Sequence, residues 1–280
     1  MLVGGGRWGR VHASVLMKLL PPGSEILWVS RHNYSTVLAS AAERQGQALV
    51  TVIESLEQAI KRKPNAAIVV TAADTHARVA QTLLEHGIPT LVEKPFVLNT
   101  KDAVDLIELA SASEIVLGVG LHLLFASYLS HFRSLWQNRP VAIARLQWLD
   151  SEVETRYGEV KRIDVSTPKV HDVFPHLWAI LRVLFPAHET LVGDVKSLAG
   201  GSACLQFTMG DVAIHAHIGR RASARSRRVD LTFLDGGTAM LDFTNEPGTV
   251  TLNGNVVASD PDWGHQPTPL TAEVSGHISS

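Results

Sequence analysis

A single cysteine, Cys204, stands in a chain of 280 residues, which excludes an intramolecular disulfide and fits a reducing, cytoplasmic setting. Charge of one sign is also in short supply. Twenty-five Lys and Arg against 27 Asp and Glu leave a net −2, so no overall field draws the chain to nucleic acid or to an anionic membrane. No apolar run is long enough to span a bilayer. The chain opens directly on a strand, Met1-Leu2-Val3, which leaves no room for a signal peptide; that strand is so short that either the sheet edge is truncated or the natural start lies upstream. These absences leave an ordinary globular protein long enough for two domains.

Glycine stands where a dinucleotide site needs it. Gly4, Gly6 and Gly9 give G-x-G-x-x-G within Val3-Gly4-Gly5-Gly6-Arg7-Trp8-Gly9. In such a site the first glycine makes the turn, the second lets a pyrophosphate approach the backbone, and the third lets helix and strand pack closely. The helix that follows aims free N–H groups at the phosphates. By itself the motif is also an ordinary strand-to-helix turn, so its neighbours decide. Val11, Val15, Leu16 and Leu19 recur at helical spacing, Pro21-Pro22-Gly23 stops that helix, and Glu25 to Val29 reads as a buried strand. An NAD site carries an acidic residue at the end of this second strand, about 20 residues past the glycines. Ser30-Arg31-His32-Asn33 stands there instead. A hydroxyl and a guanidinium suit a 2′-phosphate, which predicts NADP(H) over NAD(H); the alternative is Arg31 as a solvated loop residue.

Helices and strands go on alternating. The run Ala66 to Thr71 is apolar in the manner of a parallel strand. Thr71-Ala72-Ala73-Asp74 follows as a loop, with Asp74 placed to cap a helix reaching His86. Gly87 ends that helix as a left-handed residue would, and a strand through Val92 leads into Glu93-Lys94-Pro95-Phe96.

With Glu93-Lys94-Pro95 in place, the chain resembles the glucose–fructose oxidoreductase / inositol dehydrogenase family, Gfo/Idh/MocA. The family's order is present: the glycines, a strand ending in Thr71, a helix carrying His76, His86-Gly87 through Pro95, and then Ile115 to Gly120. The resemblance implies a nicotinamide cofactor bound through Gly4, Gly6, Arg7, Trp8 and Gly9, through Ser30 and Arg31, and through Thr71, Ala72, His76, Glu93 and Lys94. It also implies that Lys94 sits by the nicotinamide and the substrate oxygen, on a turn shaped by Glu93 and Pro95 and often containing a cis peptide. An ammonium there donates a hydrogen bond to a carbonyl oxygen as hydride reaches the carbon.

Past residue 120 the agreement thins. Many members have an Arg-Phe pair with Pro two residues on; Leu124 and Ala126-Ser127 stand here, which suits a more apolar pocket than a plain sugar site. His122 either lines that pocket or packs as an ordinary histidine. Residues 150–168 read as a polar loop, whose Glu152, Arg156 and Tyr157 either reach a ligand or are solvated. Asp172 and His176 keep the spacing of the family's second signature, and residues four apart share a helix face. The resemblance makes them orienter and acid–base group, although the usual glycines before the Asp are missing and Pro175 replaces a small residue.

The remainder alternates as strands. His215 and His217 share a strand face but lack a third ligand, so no metal is expected. The basic run Arg220 to Arg228 reads as a solvated hairpin loop, and residues after Asp260 as a packed-down or disordered tail.

The expectation is an α/β protein: a Rossmann, doubly wound parallel sheet in residues 1–120, and a C-terminal α+β domain in residues 121–280 with an open, largely antiparallel sheet that also makes a homodimer or homotetramer. The expected reaction is NADP-dependent hydride transfer between nicotinamide and a carbonyl or secondary alcohol. Lys94 polarises the oxygen, with Asp172 and His176 beside it as catalytic residues. The alternatives are an imine reductase of secondary metabolism and a catalytically silent NADPH-binding regulator.

Overall fold

A computed structural model describes residues 1–43, 48–156, 159–162, 167–188, 192–198, 201–259 and 267–279. The chain divides into two compact units, Met1–His122 with Leu270–Ser280, and Leu123–Pro269.

The first unit alternates strand and helix: β1 (Leu2–Val3), α1 (Arg7–Leu19), β2 (Glu25–Val29), α2 (Tyr34–Glu43), β3 (Leu49–Ile53), α3 (Leu56–Lys61), β4 (Ala67–Val69), α4 (His76–Glu85), β5 (Thr90–Glu93), α5 (Thr100–Ala112) and β6 (Leu117–Gly120). The six strands pair in parallel in the order β3-β2-β1-β4-β5-β6. This is the Rossmann arrangement. The order reverses at β1, so the loops after β1 and β4 part there and leave a crevice at the carboxyl ends of the strands. Strands covered on both faces need apolar residues throughout, and Ile26, Leu27, Trp28 and Val29 are all buried. Even two-residue β1 has both side chains in the core.

The second unit runs α6 (Ser127–Ser134), β7 (Val141–Ser151), β8 (Val153–Arg156), β9 (Glu159–Arg162), α7 (Lys169–Leu184), β10 (Val192–Leu198), β11 (Ser202–Met209), β12 (Val212–Ala222), β13 (Ser226–Phe233), β14 (Thr238–Asp242), β15 (Thr249–Leu252) and β16 (Asn255–Ala258). Eight strands form an open sheet in the order β10-β11-β12-β7-β13-β14-β15-β16, antiparallel except where β12 meets β7. Side chains alternate across it: Ala144, Leu146, Ile214, Ala216, Val229 and Leu231 are buried, while Arg145, His215 and Asp230 line up across the other face. Helix α7 packs against β11 and β12.

Four local expectations change. Asp74 does not cap the helix. Ala73–Thr75 forms a 3₁₀ turn and α4 starts at His76, behind Thr75, because the buried His76 ring is anchored elsewhere and tertiary contact overrides a capping preference. The segment read as a polar loop pairs β8 with β9 in its described part; Tyr157 lies outside the described residues. The basic run is mostly strand, leaving three residues between β12 and β13, and Arg227 is buried rather than solvated because it meets a carboxylate. The tail contains α8 (Pro269–Ser279). Its Leu270 and Val274, four apart on one face, join the core of the first unit with Leu2, Ala13, Leu16 and Trp28.

Glu273 of α8 is fully buried. Burial pushes its carboxyl up to about 8, the Glu93 charge adds to the rise, and the Leu121 backbone works the other way. In strong acid the group is protonated folded or unfolded and contributes nothing. As pH climbs above the ordinary carboxylate range, the unfolded chain loses the proton while the folded one keeps it, so stability drains until pH 8 and then levels off. Replacement by the uncharged isostere, Glu273→Gln, is expected to flatten this decline. In pH-stepped denaturant melts the variant should exceed the wild type by about 3 kcal/mol at pH 7 and match it near pH 4.

Candidate active site

The glycine turn is built by close approach. Gly4 has φ +132, and a Cβ on it would lie 2.6 Å from the Val70 carbonyl oxygen. A Cβ on Gly9 would lie 2.2 Å from the Gly4 carbonyl oxygen, so only glycine lets α1 sit this close to β1. The same Gly4 oxygen accepts the Trp28 indole N–H at 2.9 Å. Gly6 differs: a Cβ there would meet nothing within 4 Å. Ser30 is buried at the end of β2, while Arg31 is exposed beside it. Arg31 and Arg78 both act on the exposed Glu57.

Lys94 follows β5 at the same edge. It is half-buried, and its peptide bond to Pro95 is cis. Glu93 is buried and turned inward. One carboxylate oxygen meets His12 Nε2 at 2.8 Å and the other accepts the Lys94 backbone N–H at 3.0 Å. Burial pushes this carboxyl up, but the His12 hydrogen bond and the His12 and His122 charges outweigh it and hold it below the usual range. Trp8 packs against both histidines, its ring centroid 5.8 Å from that of His12 and 6.1 Å from that of His122. His122 thus belongs to this cluster. His76 is buried, with Nδ1 2.9 Å from the Pro95 carbonyl and Nε2 3.1 Å from that of Thr71. It staples the loops after β4 and β5 and so shapes the crevice. Thr71 lies on that staple and accepts the Thr75 hydroxyl at 2.7 Å; Ala72 follows it.

In the second unit α7 carries Asp172 and His176 and runs on through Pro175. His176 is buried and stacked on Trp148, with centroids 4.6 Å apart and planes 10° apart. Asp172 is half-exposed, its Oδ2 3.9 Å from Lys169 Nζ. Lys169 also donates to Asp150, as does Arg227. Burial pushes the Asp150 carboxyl up, but these two charges overcome it and hold the group far below its ordinary range. Burial lowers the Lys169 ammonium despite Asp150. Sequence reading missed Lys169, Asp150, Arg227 and His12. The contacts join residues far apart in the chain, and no local spacing announces them. Among the described residues, no group of three or more His, Cys, Asp or Glu is arranged to hold a metal; His215 and His217 line an open concavity of about 390 Å³ on the outer sheet face.

Residues 1–121 match a family model described as an oxidoreductase family with an NAD-binding Rossmann fold, GFO_IDH_MocA. Residues 1–121 thus carry the NAD-binding Rossmann unit of that family. The chain is 31% identical over 119 residues to a UDP-N-acetylglucosamine 3-dehydrogenase of Acidithiobacillus ferrooxidans. That stretch is 42% of this chain and 35% of the relative, so the match spans about a third of the relative's length. Solved structures of that dehydrogenase superimpose with a TM-score of 0.76 at 20% identity, covering 99% of this chain and 87% of the other. A D-galactose-1-dehydrogenase of Rhizobium etli gives 0.69 at 14% identity, covering 99% and 86%. At such identities the likeness extends the family's fold to the second unit and shows the fold alone.

The residues of the first unit fit a nicotinamide dinucleotide. The open space over Gly6 faces the start of α1 at the point where the strand order reverses, which is where a pyrophosphate binds. Gly6 and Gly9 should therefore respond differently to one added carbon. Gly6→Ala is expected to keep the melting temperature and to weaken dinucleotide binding about tenfold, read by calorimetric titration. Gly9→Ala drives a Cβ into the Gly4 carbonyl and should lower the melting temperature itself. Equal melting losses for both would remove the argument from the open space.

Proposed function

We propose that the protein is an NADP(H)-dependent dehydrogenase or reductase acting on a small-molecule carbonyl or secondary alcohol, of the sugar or nucleotide-sugar class that its relatives' names describe. One observation carries this reading: Lys94, half-buried at the carboxyl edge of a parallel sheet, has its turn fixed by a buried carboxylate and a cis peptide.

The cofactor, when bound, supplies or accepts the hydride. Gly4, Gly6 and Gly9, with the first N–H groups of α1, hold its phosphates. Ser30 and Arg31 take the 2′-phosphate, a role supported by the absence of an acidic residue at the end of β2. Lys94 donates a hydrogen bond to the substrate oxygen, which stabilises the negative charge that develops as the carbonyl is reduced. His176 takes or gives the proton of the reaction, and Asp172 orients it. The outer face of the open sheet pairs with a second copy of the chain; light scattering should return a multiple of the protomer mass.

Two measurements test the assignment. Arg31→Ala should cut the preference for NADPH over NADH about tenfold, with the NADH parameters little changed. A wild-type preference for NADH would overturn the NADP reading. Lys94→Met should lower turnover at least a hundredfold while changing the cofactor dissociation constant far less. The substrates are UDP-N-acetylglucosamine, D-galactose, a ketone panel and a cyclic imine. Turnover of the imine alone would favour imine reduction, and tight NADPH binding with no turnover at all would favour a silent regulator.

A further inference from the structure

The second unit buries a charged frame that the proposed reaction does not by itself require. Lys169, Arg227 and His176 are each more than nine-tenths buried. Asp150 divides its carboxylate between the two cations: Oδ1 accepts from Arg227 and Oδ2 from Lys169. Arg227 is fixed further by donating to the Leu149 carbonyl at 2.5 Å and the Ser226 carbonyl at 2.8 Å. Its guanidinium carbon lies 3.9 Å from the centre of the Trp148 ring, and that indole is the ring on which His176 stacks. Lys169 reaches the other way, to Asp172 at 3.9 Å.

Two buried cations around one partly exposed carboxylate are a poor route to stability, because desolvation offsets most of the Coulombic gain and apolar residues of the same size serve as well. What such a frame supplies is geometry. Geometry is needed here, because Pro175 lies between Asp172 and His176 in α7. Proline has no N–H, so the helical bond from residue 175 to the His171 carbonyl cannot form. The stretch that carries both side chains thus lacks one of its own restraints. Each side chain has a restraint of its own: for Asp172 it is Lys169, three residues back on the same helix and tied to Asp150 outside it, and for His176 it is Trp148 under Arg227.

We propose that Asp150 is a positioning residue for the Asp172–His176 pair, setting Asp172 through Lys169 and His176 through Arg227 and Trp148. This rests on the reading of Asp172 and His176 as the proton-handling groups.

The test joins a spectroscopic arm that needs no substrate to a kinetic one. In a carbon–proton spectrum of the histidine rings, the His176 signal, assigned by its loss in His176→Gln, should lie upfield because of the stacked indole. Asp150→Asn should move it most of the way to the unstacked position. The same variant should lower kcat by about ten- to a hundredfold, with the dissociation constant for NADPH unchanged. Should Asp150→Asn fail to fold, Arg227→Lys takes its place, since it keeps the charge but not the planar group over the indole. A His176 signal that stays upfield in the folded variant overturns the proposal whether or not turnover is detected. So does a displaced signal with kcat unaltered. A displaced signal in a protein whose wild type turns over none of the substrates overturns the dehydrogenase reading instead.

Discussion

One buried ion pair joins the two halves of the proposed cofactor site. His12 stands on α1, the helix that starts at the glycine turn, and Glu93 ends β5, the strand that presents Lys94. Their contact at 2.8 Å is fully buried. The glycine turn and the lysine turn therefore cannot shift independently. A carboxylate buried without its partner would be costly, so the pair forms together with the packing of α1 on the sheet. The second oxygen of Glu93 then reaches on to the Lys94 backbone N–H. Within Glu93-Lys94-Pro95 the first side chain is thus structural and inward, and the second is left half-buried at the edge of the sheet.

The two units solve the same problem with different materials. In the first, glycine removes atoms so that backbone can approach backbone, and the His76 ring closes the loops with two carbonyl contacts. In the second, charge does the fixing: Asp150, Arg227 and Lys169 surround the start of α7, where a proline interrupts the helical bonding. A glycine-built site tolerates no added side chain at the close contacts.

How much of this was legible in the sequence follows from the range of each interaction. The Rossmann unit could be read because its signals are local: glycine spacing, apolar strand runs, Gly87 after a helix. The open sheet could be read because alternation has a period of two. Asp172 and His176 could be placed on one helix because their spacing is close to one helical turn. The rest was hidden because it joins distant residues. Arg227 meets Asp150 across 77 positions and His12 meets Glu93 across 81, and a basic run looks solvated until its carboxylate partner is known. Helix α8 escaped notice because only a few of its residues carry its apolar contact.

The return of α8 to the first unit makes the second an insertion, with the chain leaving the first unit after His122 and re-entering it at Leu270. During synthesis the Rossmann sheet is complete long before its core is. The places of Leu270 and Val274 against Leu2 and Trp28 stay unfilled until the second unit has been made. Domains commonly fold in order as they emerge from the ribosome; here the first unit is finished only after the second has been made, and until then its apolar seam stays open.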